Sequence, residues 1–171
     1  MKQITIGFSR ASTAFPIFSW LIMAVQKTPY SHAYLKYTDE YLGQTMYYQA
    51  SHSLVNYMSA ATFLAQETVV QEFDFQVSDE SFLAIMKFGA DQAGKPYGTL
   101  EILGLALVEI AMLFGIKMNN PVRDEGTTFI CDQLVAALLE NCEGVVLPDK
   151  IDNMMPKDVF NMVKNLPKNL S

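Results

Sequence analysis

The decapeptide TVVQEFDFQV at 68–77 restricts the fold more than any other stretch of the chain. Val69, Phe73, Phe75 and Val77 fall on one side of an extended backbone, and Thr68, Glu72, Asp74 and Gln76 on the other. A period of two, rich in β-branched and aromatic residues, specifies a strand with one face to cover. Residues 3–8 read as a first strand. YSHAYLKYT (30–38) alternates as well, with Ser31, Ala33, Leu35 and Tyr37 opposite His32, Tyr34 and Lys36. DEYLGQ is then a turn in which Gly43 supplies a positive φ, and TMYYQAS (45–51) is the hairpin partner. Residues 53–66 show no clear period and fit one short helix.

Helical patterns dominate the second half. ASTAFPIFSWLIMAVQK precedes the hairpin as a helix, with Ser12 or Thr13 as cap, Pro16 in its first turn and Pro29 as its stop. Ser78 caps the helix after the decapeptide, with Asp79 and Glu80 in its first turn and Gly94 at its end; KPYG (95–98) is a turn. Further helices are predicted at 102–116, from Cys131 to about Asn141, and at 156–165, with a polar loop at 119–128. Strands followed by segregated helices specify an α+β fold, and 171 residues with no internal linker make one domain, 1–171.

Acidic residues outnumber basic ones 18 to 12 and no Lys/Arg stripe forms, which argues against nucleic acid and anionic lipid as partners. AFPIFSWLIMAV (14–25) is apolar enough for an export signal, but a strand rather than a basic segment precedes it. ILGLALVEIAMLFGI (102–116) is short for a bilayer span and carries Glu109 at its centre, so it reads as core, with transient membrane or lipid contact as its alternative. A cytoplasmic protein is expected. Its two histidines and two cysteines lack zinc-ligand spacing, so neither a metal nor a cofactor is expected.

Cys131 admits two readings. Cys131, Leu134, Val135, Leu138 and Cys142 form one helical stripe, and a free cysteine on such a stripe is ordinary core. Yet with Thr127 or Thr128 as cap, Cys131 lies in the first turn, where the helix dipole favours a thiolate. A nucleophile needs a base. His32, held in a well-marked strand, is the better candidate; His52 lies beyond the end of its strand.

TPYSHAYL (28–35), YYQAS (47–51), GKPYG (94–98) and FICDQLVAALLE (129–140) occur in that order. Together they resemble the circularly permuted branch of the NlpC-type papain-like cysteine hydrolases, to which lecithin retinol acyltransferase-like enzymes are also similar. The opening ITIGFSRASTAFPIFSWLI and the closing DNMMPKDVFN are similar to the family's ends, so the resemblance covers nearly the whole chain. It implies a permuted papain-like fold, an antiparallel sheet or open barrel packed against the cysteine helix. It also implies Cys131 as nucleophile, His32 as base and Gln49 at the position that orients the histidine. Gln49 departs from the glutamate usual there. An amide can fix the imidazole tautomer but cannot stabilise imidazolium by charge, and His52 could replace it only if the strand bends. The implied activity is hydrolysis of a peptide, amide or acyl ester through a Cys131 thioester, with acyl transfer differing only in the acceptor. A catalytically silent binding or structural module is the alternative.

Overall fold

The computed structural model describes residues 1–12, 17–51, 54–98, 104, 107–108, 111, 114–116, 118, 121, 128–142, 144–148, 150–151 and 154–170. It is an α+β structure built on one open six-stranded sheet. In chain order the elements are β1 (Lys2–Ala11), α1 (Ile17–Gln26), β2 (His32–Asp39), β3 (Gln44–Ser51), β4 (Leu54–Ser59), α2 (Ala60–Gln66), β5 (Glu67–Val77), α3 (Asp79–Gln92), α4 (Cys131–Leu139), α5 (Pro156–Asn165) and β6 (Asn169–Leu170). The sheet order is β4-β3-β2-β1-β5-β6, antiparallel throughout except for the parallel β5–β6 edge.

Alternation decides what each face does. Ile4, Ile6 and Phe8 of β1, Ala33 and Leu35 of β2, Tyr48 and Ala50 of β3, and Phe75 and Val77 of β5 all join one core with Leu134, Val135 and Leu138 of α4. The opposite face is covered as well. There α2 lays Phe63 against Tyr34 and Tyr47, with the Tyr47 and Phe63 rings stacked at 4.1 Å. The Tyr34 ring crosses directly over Gly7 of β1, so that its hydroxyl donates to Glu72 Oε1 at 2.8 Å. Lys36 meets the other oxygen of the same carboxylate. The turn after β2 has Gly43 at φ 61°, as its sequence requires.

Three expectations fail for identifiable reasons. Residues 53–66 are not one helix: Leu54–Ser59 is an edge strand, and the helix is confined to Ala60–Gln66. No Gly or Pro marks the change. Ser59 is both the last residue of β4 and the cap of α2, accepting from the Thr62 amide. Second, Val69 does not share a face with Phe73 and Phe75. Phe8 pairs with Gln71 and Ser9 with Val69, so β5 carries an extra residue at Val70. This bulge turns Val70 into the main core and Val69 towards Tyr34 and Phe63. Third, KPYG is extended rather than a turn. Pro96 bridges to Leu54 and Tyr97 to Phe129, joining β4 to the entrance of the cysteine helix.

Other expectations hold. Ser78 caps α3, accepting from the Ser81 amide at 3.0 Å, and Gly94 follows the helix at φ 84°. α1 ends before Pro29, at Gln26, with Lys27 at φ 53°. Most of 102–116, including Glu109, lies outside the described residues. Within it Val108 is buried, and Leu107 and Phe114 are exposed. No helix among the described residues is long and apolar enough to cross a membrane.

Candidate active site

α4 is buried on every side: all nine residues from Cys131 to Leu139 are inaccessible, Asp132 and Gln133 included. The single apolar stripe expected of it understates its position as the central helix, packed on β2, β3, α3 and α5. Its N-cap is Ile130, not a threonine. The Ile130 amide is answered by the Gln133 side chain at 3.3 Å, whereas Thr128 Oγ1 is buried without a partner among the described residues. Thr127 lies outside the described residues. Cys131 is therefore the first helical residue, where its own amide has no intrahelical acceptor.

β2 and β3 bring His32 and Gln49 together. Leu35 pairs with Tyr48, and continuing that register puts residues 32 and 49 diagonal to one another on the same side of the sheet. The His32 ring nitrogen Nε2 lies 2.6 Å from Gln49 Oε1, with His32 only 7% and Gln49 1% exposed. The amide nitrogen of Gln49 meets Met58 Sδ at 3.1 Å, which leaves the oxygen for the imidazole. An oxygen at that position accepts, so Nε2 carries a proton, and in the neutral ring Nδ1 keeps its lone pair. That is the tautomer a base requires. His52 lies outside the described residues.

The thiol reaches this pair through backbone. Cys131 Sγ contacts the Ser31 carbonyl at 4.0 Å and Asp132 Oδ1 at 3.7 Å, and the Ala33 amide also favours its anion. Sulfur thus lies against the two peptides that flank His32, although the imidazole is not among its hydrogen-bond partners. Several other residues converge on the same spot. Ser19 of α1 bonds the Ser31 hydroxyl, and Ile22, Tyr97, Ile130 and Met155 pack as one small cluster. Ser9, the register partner of His32, donates to the buried carboxylate of Glu67 at 2.8 Å.

The electrostatics differ from expectation. The helix start was to lower the thiol pKa; instead burial pushes Cys131 up, and the Ala33 and Asp132 amides offset this only in part. Desolvation outweighs the end of a helix dipole when Cys131 is only 3% exposed. Burial also holds Asp132 well above the usual carboxylate range, reinforced by the neighbouring thiol. Tyr97 is pushed up by burial and by Cys131 and Asp132, its hydroxyl hydrogen-bonding with the thiol. Cys142, 3% exposed in the core, is raised by burial to about 11. Asp132 and Tyr97 are the site residues that pattern reading passed over. Asp132 was visible as the residue following Cys131, and Tyr97 stood within GKPYG.

A carboxyl raised in the folded state binds its proton more tightly there than in the unfolded chain. Its contribution to stability is complete below the unfolded carboxylate pKa and is lost as pH rises towards the folded value. Asp132→Asn removes that loss. The melting temperature of the variant relative to the native protein is expected to rise between pH 4 and pH 7, and a constant difference would contradict the assignment.

Among the described residues no three His, Cys, Asp or Glu side chains group as a metal site. No protein-family model matches the chain, and no curated protein matches its sequence. The site therefore stands on its own chemistry.

Proposed function

We propose that the chain is a cysteine hydrolase of permuted papain-like architecture that cleaves an amide or ester bond in a peptide, amide or acyl substrate. The observation that carries this reading is the 2.6 Å His32–Gln49 pair beside a thiol seated on the peptides either side of His32. His32 Nδ1 takes the proton of Cys131, and sulfur attacks the acyl carbon. The tetrahedral oxyanion faces the free amide of Cys131, with the Tyr97 hydroxyl close by. Collapse forms the thioester and expels the leaving amine or alkoxide, which takes the proton back from His32. Water, or a second acceptor in an acyl transfer, then attacks the thioester with the imidazole again as base.

An electrophilic acyl probe with residue-level mass spectrometry tests this. Cys131 should be labelled at least ten times faster than Cys142, and His32→Ala should slow that labelling by about 10²-fold or more. Equal labelling of the two cysteines, or a His32→Ala protein as reactive as the native one, would remove the enzyme reading. The burial of Cys131 and its raised pKa favour a second reading, a silent binding module of the same fold, and that module is what the negative outcome would leave.

A further inference from the structure

We propose that Asp132 is a positioning residue of the Cys131 site: its carboxyl and the thiol hold one proton between them, so that the two never carry charge together. The inference rests on the proposed role of Cys131 only for its catalytic meaning. The geometry stands apart from that role. Sγ and Asp132 Oδ1 are 3.7 Å apart on consecutive residues, with Cys131 3% and Asp132 1% exposed. Asp132 Oδ2 has no hydrogen-bond partner among the described residues. An ionised carboxylate with an orphaned buried oxygen is strongly disfavoured, whereas a carboxylic acid tolerates the same setting.

The groups facing the pair do not relieve it. From β2 come the Ser31 carbonyl, the Ala33 amide and the His32 imidazole. The 95–98 segment contributes the Tyr97 hydroxyl, α5 contributes Asp158, and Glu67 at the start of β5 acts on Tyr97. Apart from the imidazole, every ionisable group in that set is an acid. The first proton lost from the pair leaves one negative charge, on sulfur when the carboxyl keeps its hydrogen. A second loss would place two anions in one desolvated volume. When sulfur forms a bond to carbon its charge disappears, and the carboxyl is then free to release its proton. Asp132 thereby links acylation of Cys131 to proton release at the helix entrance.

The test is iodoacetamide alkylation of Cys131 against pH, followed by mass spectrometry in the native protein, Asp132→Asn and Asp132→Ala. The thiolate displaces iodide, so the rate reports the ionised sulfur directly. With the carboxylic acid no longer donating to the thiolate, the midpoint should rise by about one unit in Asp132→Ala, giving about tenfold slower alkylation at pH 7, with Asp132→Asn between the two and Cys142 unchanged. Identical midpoints in native and Asp132→Ala protein would overturn the shared proton. Should either variant lose its circular-dichroism spectrum, the native protein decides by difference infrared spectroscopy. A protonated carboxyl should persist at pH 7 and titrate at lower pH after alkylation; absence of that band at pH 7 overturns the proposal. Alkylation needs no substrate, so a shifted midpoint without acyl-probe labelling would retire the hydrolase and keep the shared proton.

Discussion

Gly7→Ala is expected to destabilise the fold by about 3 kcal/mol or more, a large cost for one methyl group. A Cβ at position 7 would lie 2.1 Å from the Tyr34 ring carbon bearing the hydroxyl, and within 2.4 Å of two further atoms of that side chain. Neither partner can give way cheaply. Gly7 lies in β1, bonded on both sides to β2 and β5, so its backbone cannot retreat without disturbing both ladders. The ring is wedged against Tyr47 and Phe63, and its hydroxyl is tied to Glu72. Displacing it leaves a half-buried carboxylate oxygen of Glu72 short of a donor and opens the packing under α2. Urea denaturation measures the effect, and a loss below about 1 kcal/mol would show that the ring relocates without strain. Tyr34→Phe, which keeps the ring and removes only the hydroxyl, should cost roughly 1–3 kcal/mol.

Gln49→Ala is expected to slow acyl-probe labelling of Cys131 by about 10²-fold while leaving the fold in place. The substitution removes the one hydrogen bond that holds His32 Nε2 and thereby the tautomer with a free Nδ1. Gln49→Glu separates orientation from charge. A carboxylate there also accepts from Nε2 and raises the imidazole pKa, so labelling should stay within about tenfold of native with its pH profile moved upward. Should the alanine variant label as fast as the native protein, His32 is oriented by something else and the triad is misassigned. An unmoved profile in the glutamate variant would show that no charge develops on the imidazole.

The site was legible where one periodicity governed each residue. His32 and Gln49 lie on strands joined by a turn marked by Gly43, and the resemblance to permuted papain-like hydrolases is what named them as partners. The cysteine's place in the first turn of a helix was equally plain. What stayed hidden depended on events that leave no local mark. Ser59 ends β4 and caps α2, and Glu67 ends α2 and begins β5, so three elements follow one another without a connecting residue. The state of the thiol was misjudged for another reason. A helix start can be recognised from neighbouring residues, but the degree of burial is set by α1, Tyr97 and α5, which come from distant parts of the chain. GKPYG was among the motifs that carried the likeness to permuted papain-like hydrolases, yet it read as a turn; only the fold revealed that the segment works as a strut beside the thiol.

The bulge at Val70 has a consequence for how the chain tolerates change in length. The residues of β5 on its two sides are out of phase by one. Loss of Val70 would bring the halves into step without turning either one over, since Gln71 would stay opposite Phe8 and Val69 opposite Ser9. Glu67 and Val69 would keep their place on the His32 side of the sheet, and the core would lose only the Val70 side chain. One residue can thus be removed at the bulge, as in the exposed 40–43 turn, with the pairing on either side preserved. The bulge is the point at which β5 can change length without exchanging the residues on the two surfaces of the sheet.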